Sequence, residues 1–175
     1  DALPILVKFN HEELTENVFK LIGDRWMLIT AGDRDGFNTM TASWGGLGVL
    51  WSMPVATCYI RPHRYTYGFM EKGQYYTLSF YPESFRKQLA ICGTKSGRDI
   101  DKVKECGFTP AFTPEGAVYF EEAELVLVCK KIYFADFDPG HFLDVRIAEQ
   151  YHPDDYHRMY IGEIVGAYKK GLSTN

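Results

Sequence analysis

Two segments carry most of the information in this chain: GFNTMTASWGG at residues 36–46 and YIRPHRYTY at residues 59–67. The first is a run of small, hydroxyl-bearing residues that ends at Trp44, and such residues let backbone N–H groups approach a flat ring. The second places Arg61 and Arg64 beside Thr66, and arginine forks together with a hydroxyl can hold a phosphate dianion. The two segments together favour a phosphorylated aromatic cofactor over hydrolytic chemistry.

Length and composition set the class of protein. The 175 residues are enough for one domain with a full core, so residues 1–175 are expected to form a single domain. Hydrophobic content of 46% and charged content of 24% are ordinary for a soluble protein. The net charge of −4, without a basic block, argues against a nucleic-acid partner. The apolar runs fall short of the roughly 18 residues that cross a bilayer, so no membrane association is expected.

The cysteines indicate a reducing compartment. Their spacing does not match a metal site, and the preferred interpretation is four reduced, partly buried thiols in a cytoplasmic protein: Cys58, Cys92, Cys106 and Cys129. No signal peptide is visible, and the start at Asp1 leaves an earlier segment open.

Hydrophobic patterning predicts a mainly β protein with short helices. Residues 33–36 are predicted to form a hairpin turn, because an Asp-Gly pair accepts positive φ angles. The strands are predicted at residues 26–31, 37–48, 55–60, 75–80, 117–120, 123–135, 141–150 and 160–168. The helices are predicted at residues 11–22, 65–71, 82–90 and 100–105. Neither the order nor the spacing suits a doubly wound parallel sheet, and a small antiparallel barrel with helical decoration is the favoured architecture.

Familiar catalytic and nucleotide motifs are incomplete. The glycines at residues 45–48 do not form G-x-G-x-x-G, and CGTKSG at residues 92–97 resembles a phosphate loop only in composition, so both are interpreted as turns. No nucleophile elbow, H-E-x-x-H motif or metal-ligand spacing is present in the sequence. No protein residue is therefore predicted to act as a catalytic nucleophile or base.

The arginine segment allows two interpretations. Arg61, Arg64 and Thr66 follow an apolar strand, and the residues after Pro62 could begin a helix whose N–H groups face an anion. Lys102 adds a second positive charge at the opening of a later helix. The alternative is a salt-bridged surface turn, since surface ion pairs are common.

Several landmarks, in order along most of the chain, make this sequence resemble the flavin reductase-like family. This family contains the FMN-binding split barrels, and the resemblance is strongest to its flavoredoxin-like branch. The landmarks are NTMTASW at residues 38–44, Pro54, RPHRYT at 61–66, Ser79-Phe80, Cys92-Gly93, SGRDIDK at 96–102 and YIGEI at 160–164.

The resemblance implies a Greek-key split β-barrel that forms a homodimer, with FMN near the subunit interface. Seven residues would lie along the isoalloxazine ring: Asn38, Thr39, Met40, Thr41, Ala42, Ser43 and Trp44. Arg61, Arg64 and Thr66 become candidates for the phosphate, and Lys102 for the phosphate or the pyrimidine edge. A flavin needs such an apolar wall, backbone donors and a cationic clamp.

The expected activity is an FMN oxidoreductase that takes electrons from NADH or NADPH and passes them to an acceptor. Because the cofactor carries that chemistry, the lack of a catalytic triad is consistent with it. A second possibility is an FMN-holding electron carrier that is reduced by a redox protein. A third is a barrel that binds another flat ligand, such as haem, or none. The sequence departs from the family pattern at residues 8–22 and 45–51, which leaves the electron donor open.

Overall fold

The computed structural model describes residues 5–171, and its main feature is one eight-stranded antiparallel sheet. The sheet order is β3-β2-β6-β9-β10-β5-β4, and β1 pairs with β10. Its strands are β1 (Leu6–Lys8), β2 (Met27–Asp33), β3 (Gly36–Ala42), β4 (Gly46–Leu50), β5 (Met53–Ile60), β6 (Tyr75–Phe80), β9 (Leu125–Asp136) and β10 (Arg158–Lys170). A separate two-stranded ribbon joins β7 (Pro110–Phe112) to β8 (Val118–Phe120).

Short helices surround this sheet. They are α1 (Tyr65–Lys72), α2 (Arg86–Thr94), α3 (Lys102–Cys106) and α4 (Val145–Ala148), with 3-10 turns at His11–Glu13, Glu83–Phe85 and Pro139–His141 and a π-helical turn at Lys20–Asp24. The longest is α2, and no helix within residues 5–171 has the length and apolarity to cross a membrane.

The sheet curls on itself without closing, which makes it a split barrel. Strands β3 and β4 lie at opposite ends of the sheet order, yet only residues 43–45 connect them. An extended chain covers at most about 3.6 Å per residue, so the end of β3 and the start of β4 lie within about 14 Å of each other. Gly45 fits between them: a Cβ there would lie 2.8 Å from the Thr57 carbonyl oxygen on β5 and 3.1 Å from the Met27 side chain on β2.

Strand alternation divides the core into two layers. On β9, Leu125, Leu127 and Cys129 face the barrel interior, whereas Val126 and Val128 pack under α2, α3 and the β7–β8 ribbon. Side chains at successive strand positions point to opposite faces of a sheet, so this one strand contributes to both layers. The outer layer fixes α2 and α3 beside the edge strand β3.

The predicted hairpin at residues 33–36 is confirmed, because β2 and β3 pair through Asp33 and Gly36. The left-handed backbone lies at Gly32 (φ 115°) instead of in the Asp-Gly pair. A Cβ at Gly32 would collide with the Gly36 carbonyl oxygen, so only glycine fits there. At the β4–β5 hairpin both turn residues, Trp51 and Ser52, have positive φ, as a type I′ turn requires.

Two sequence predictions near the N-terminal half are wrong. The helix predicted at residues 11–22 is broken, because Asn10 caps the 3-10 turn and the Asn17 carboxamide accepts the Lys20 N–H at 3.2 Å, which starts a new turn. The single strand predicted at residues 37–48 is two strands, since the chain leaves one edge of the sheet at Ala42 and joins the other at Gly46.

The strand predicted at residues 141–150 is also wrong. This part of the chain contains a 3-10 turn and α4, each capped by an aspartate: Asp138 accepts the Gly140 N–H at 2.8 Å and Asp144 accepts the Arg146 N–H at 2.9 Å. Leu143 is fully exposed, so the apolar residues here do not mark a buried strand face. The sequence pattern could not distinguish an exposed apolar loop from a strand.

Candidate functional site

A cavity of about 350 Å³ lies beside the edge strand β3, where the beginning of α1 meets the loop between α2 and α3. Four of the residues predicted to bind cofactor line it: Asn38, Arg64, Thr66 and Lys102. The opposite wall is formed by residues 93–98. Long-range folding thus brings together groups that the sequence separates by more than sixty positions.

Asn38 and Thr66 form the buried polar floor of the cavity. The Asn38 carboxamide donates from Nδ2 to Thr66 Oγ1 at 2.8 Å, and both residues are buried. Since Thr66 accepts this bond, its own O–H remains a donor. A Cβ on Gly97 would overlap Asn38 Oδ1 and lie 2.9 Å from the Tyr65 ring, so this loop can approach only because residue 97 is glycine.

Lys102 reaches the cavity from α3, and its side chain is buried. Its ammonium group donates to the backbone carbonyl oxygens of Thr39 at 2.7 Å and Cys92 at 3.0 Å. An ammonium group has three N–H donors, so one remains after these two bonds. Burial, and to a lesser extent the positive charge of Arg64, lower the pKa of Lys102 to about 8.

Arg64 supplies the second cation and lacks an acidic partner. It is half-buried at the N-cap of α1, and burial lowers its pKa. Within residues 5–171 its guanidinium makes no hydrogen bond or ion pair, although buried charges are ordinarily paired. The first N–H groups of α1 also have no intrahelical acceptor, and the helix dipole is positive at this end. The cavity thus combines Arg64 and Lys102 with a hydroxyl and a helix N-terminus, and Lys95 and Arg98 also lie on its wall, an arrangement suited to an anion.

The side chains in the middle of the predicted ring-binding segment, residues 39–41, are already hydrogen-bonded or buried within the protein. Thr39 shares a 2.8 Å hydrogen bond with Thr30, Thr41 donates to the Leu89 carbonyl oxygen, and Met40 is buried in the core. Ala42, at the end of β3, is partly buried. Among the described strands β3 pairs only with β2, so its other edge has N–H and C=O groups free of a strand partner. A ligand along this edge would meet backbone more than side chains.

Ser43 and Trp44 line a second, mostly apolar cavity of about 820 Å³ at the link between the two sheet edges. Trp44 is 52% exposed, and Tyr59, Phe137 and Tyr151 contribute further rings to the wall. Ligand cavities are typically apolar and aromatic with a few polar groups, and this one fits that description. Strand β3 therefore joins a cationic cavity at one end to an aromatic cavity at the other.

Arg61 lies apart from the cationic cavity. Its guanidinium forms an ion pair with Asp155 at 2.7 Å and lies 4.8 Å from the centre of the Tyr151 ring. This contact holds the connection between β9 and β10 beside the aromatic cavity. Arg61 therefore has a carboxylate partner, whereas Arg64, three positions later, has none within the described residues.

The imidazole ring of His157 packs against the ring of Trp44. The two rings lie 5.3 Å apart, and His157 Nδ1 shares a 2.7 Å hydrogen bond with the Tyr151 hydroxyl. His157 is 8% exposed, and burial, followed by the charge of Arg61, lowers its pKa to about 4. The imidazole is therefore neutral at pH 7.

This pKa predicts acid sensitivity. Unfolded His157 takes up a proton near pH 6.5, whereas the folded protein resists it until about pH 4, so the stabilisation present above pH 6.5 is lost as the pH falls. His157→Gln is expected to flatten the fall in unfolding free energy between pH 7 and pH 5, measured by urea denaturation. Tyr151→Phe is the matched control, because it removes the hydrogen bond and keeps the imidazole. An unchanged pH slope in His157→Gln would contradict the assignment.

Sequence reasoning missed part of the cavity wall. The sequence predicts only a turn at residues 92–97, because they lack a complete phosphate-loop motif, yet Gly93, Ser96 and Gly97 line the cationic cavity. The resemblance in composition was the available signal. Within residues 5–171, no cluster of three or more His, Cys, Asp or Glu side chains is arranged to hold a metal ion.

The fold agrees with the comparisons to known proteins. Residues 20–173 match the family described as "Flavin reductase like domain". Because the match covers most of the chain, the protein belongs to this family. The resemblance to the flavin reductase-like family inferred from the ordered motifs is thereby confirmed.

Solved structures share the split-barrel fold at low sequence identity. An FMN-binding domain of flavin reductases-like enzyme from Shewanella baltica is 17% identical, with a TM-score of 0.71, over 100% of this chain and 82% of that one. Flavoredoxin from Methanosarcina acetivorans is 20% identical, with a TM-score of 0.68, over 86% and 71% of the two chains. Flavoredoxin of Desulfovibrio vulgaris is 24% identical, with a TM-score of 0.65, over 85% and 70%. A search of curated proteins found no match.

Proposed function

We propose that this protein is an FMN-dependent oxidoreductase that passes electrons from NADH or NADPH to an acceptor. The observation that carries the proposal is the cavity in which Arg64 and Lys102 converge without a carboxylate, beside the open edge of β3. We further propose that residues 1–175 act as one domain of the flavoredoxin-like branch, in the cytoplasm. The four cysteines of the described chain are free and buried, which is in keeping with that compartment.

The chain's residues suit FMN in a definite way. The phosphate would be held by Arg64, by the third N–H of Lys102 and by the Thr66 hydroxyl. Hydrogen bonds to a charged group are stronger than those between neutral groups. The outer edge of β3 would offer backbone groups to the flavin, and Trp44 would supply an apolar wall. Bound FMN would provide the redox chemistry. The protein would orient the ring and exclude water, which accords with the lack of a protein nucleophile.

The neighbouring structures support the cofactor. Proteins of this fold include the Shewanella baltica FMN-binding domain and two flavoredoxins. We choose FMN over haem for two reasons. These structures share the fold of this chain, and the cationic cavity could bind the phosphate of FMN directly. A histidine, His63, also lines this cavity, next to Arg64.

The test is anaerobic stopped-flow reduction of the FMN-loaded protein. Rapid bleaching near 450 nm by NADH or NADPH, at roughly 1–1000 per second, would support the oxidoreductase. Failure of both nicotinamides while FMN stays bound would favour the electron carrier that a redox protein reduces. A colourless protein that does not take up added FMN would overturn the proposal.

We also propose a homodimer. Large apolar side chains are exposed on the β4–β5 hairpin and the end of β9, including Val49 at 80%, Trp51 at 54% and Phe134 at 52%. Trp51 packs edge-on to Tyr133 at 6.0 Å, so the β4–β5 turn and β9 share exposed aromatic surface. Contiguous exposed apolar surface commonly marks an interface. Sedimentation equilibrium that gives the monomer mass at micromolar concentration would contradict a stable dimer.

The pKa of Lys102 predicts how FMN binding depends on pH. The charged ammonium would bind the phosphate, so affinity is expected to be steady near pH 7 and to fall as the pH passes about 8. Losing one charge-assisted hydrogen bond of roughly 1.5–3 kcal/mol corresponds to about a 10-fold to 100-fold weaker Kd at pH 9.5. Isothermal titration across this range measures the effect.

Two controls isolate Lys102 in this titration. Lys102→Arg keeps its charge at pH 9.5 and should show little pH dependence. Riboflavin, which lacks the phosphate, should bind equally at pH 7 and pH 9.5. The same decline with riboflavin as with FMN would remove the phosphate role of Lys102.

A further inference from the structure

Two of the cysteines lie in contact beside the cationic cavity. The Sγ atoms of Cys92 on α2 and Cys106 on α3 are 3.8 Å apart. Both residues are buried, and both are free thiols. A disulfide requires an Sγ–Sγ distance of about 2.05 Å, so a small shift of one helix would bring the two sulfur atoms into bonding range. Neither thiol has a part in the proposed function.

This thiol pair is connected to the cationic cavity through α3. Lys102 and Cys106 are the first and last residues of that helix, and residues four apart lie on one helix face. The Lys102 ammonium group donates to the Cys92 carbonyl oxygen at 3.0 Å, so it contacts the backbone of the residue whose thiol meets Cys106. A movement of α3 toward α2 would therefore carry Lys102 with it.

The two helices are not equally free to move. Helix α2 is held against β3, because Thr41 donates to the Leu89 carbonyl oxygen and Gly93 packs so closely that a Cβ there would lie 3.2 Å from Thr41 Cβ. Helix α3 is only five residues long and ends at Gly107 in a left-handed conformation. Formation of a disulfide is thus expected to displace α3 more than α2.

The two thiols also differ in their access to an oxidant. Cys92 is fully buried, and burial raises its pKa to about 12, whereas Cys106 is 6% exposed. Burial and the Glu105 carboxylate raise the pKa of Cys106, while its hydrogen bond with Cys92 and the charge of Lys102 act against that rise. A small oxidant would therefore meet Cys106 first. Because only the thiolate reacts, oxidation is expected to be slow at pH 7 and faster at higher pH.

We propose that Cys92 and Cys106 are a redox-active pair that hydrogen peroxide converts to a reversible disulfide, and that this bond weakens ligand binding in the cationic cavity. Cytoplasmic disulfides are typically transient and redox-sensing, which suits such a pair. The effect on FMN rests on the proposed function, whereas formation of the disulfide does not.

The reaction takes place in two balanced steps. The Cys106 thiolate attacks one oxygen of the peroxide and the O–O bond breaks, which gives a sulfenic acid and a hydroxide ion that takes up the Cys106 proton. The Cys92 sulfur then attacks the Cys106 sulfur and displaces the sulfenic oxygen, which leaves as water with the Cys92 proton. The two sulfur atoms lose two electrons, and one peroxide becomes two water molecules.

The first test treats the full chain without flavin with hydrogen peroxide at pH 8. Two of its four thiols are expected to be lost, and peptide mapping should find Cys92 linked to Cys106. Cys106→Ser should abolish this link, and Cys58→Ala is the matched control that keeps it. Cys106→Ala replaces the serine variant if that one fails to fold by circular dichroism. Oxidation without this link, or a link between other cysteines, overturns the proposal.

The second test compares FMN binding to the reduced and the oxidised protein by fluorescence quenching. Oxidation is expected to weaken the Kd at least threefold, because a shift of α3 draws the Lys102 ammonium group away from the cavity, and dithiothreitol should restore it. Peroxide should leave the Kd of Cys106→Ser unchanged. Equal affinities of the reduced and oxidised protein would overturn the coupling. Failure of the proposed function looks different, since the reduced protein would then not bind FMN although the disulfide still forms.

Discussion

Replacing Arg64 by glutamine is expected to weaken FMN binding by about 100-fold, which corresponds to about 2.7 kcal/mol. Arg64 has no acidic partner among the described residues, so its charge is available to a phosphate. Charge-assisted hydrogen bonds contribute roughly 1.5–3 kcal/mol each, and arginine can form two to one phosphate. Flavin fluorescence quenching at pH 7 measures the change in Kd.

Arg61→Gln is the matched control for this substitution. It removes an arginine three positions away whose guanidinium is paired with Asp155 and does not line the cationic cavity. Its FMN affinity is expected to change less than threefold, although the β9–β10 connection should loosen. Equal losses in the two variants would mean that both arginines serve the phosphate, as the sequence alone proposes. No loss with Arg64→Gln would remove the anion site.

Gly162→Ala is expected to destabilise the fold by about 1–3 kcal/mol, the typical range for overpacking a tight core. Gly162 lies on β10 opposite Ala56 of β5, in the middle of the sheet. A Cβ there would overlap the Tyr76 hydroxyl and lie 2.9 Å from Cys129 Cβ. Both neighbours are fully buried and held by strand pairing, so they cannot move aside cheaply. Urea denaturation gives the loss in unfolding free energy.

A second substitution tests the cause of that loss. The Tyr76 hydroxyl is buried without a hydrogen-bond partner among the described residues, so Tyr76→Phe alone is expected to change stability little. In the double variant, removal of the oxygen should recover part of the Gly162→Ala loss, giving a coupling energy of about 1 kcal/mol. Strict additivity of the two changes would show that the collision is not with this hydroxyl.

The pattern of apolar and polar residues predicted much of the fold, because it reflects which face of each strand or helix is buried. The strand predicted at residues 75–80 has those bounds in the structure, and the helix predicted at 65–71 is α1. Both lie in segments where burial and periodicity agree. Predictions failed where an apolar pattern met an exposed loop, at residues 141–150, and where an apparently continuous strand changed edges, at residues 37–48.

The candidate site shows the same division. Ordered motifs indicated the family and the residues from which a cofactor site would be drawn, and the structure gathers Asn38, Arg64, Thr66 and Lys102 around one cavity. The motifs could not separate Arg64 from Arg61, because the distinction depends on Asp155, which lies 94 residues from Arg61 along the chain. The loop at residues 93–98, which completes the wall, resembles a phosphate loop only in composition, so its place in the site depends on the tertiary structure.

By itself the sequence determined an antiparallel β protein of the flavin reductase-like family, because residue alternation and turn chemistry are properties of short segments and the order of the motifs can be read along the chain. Only the tertiary structure decided that β3 and β4 form opposite edges of a split barrel, and which cation faces a cavity without a counter-charge. Those outcomes depend on contacts between residues far apart in the chain. Burial and pairing are set by such contacts, and they in turn set the charge and pKa of each group.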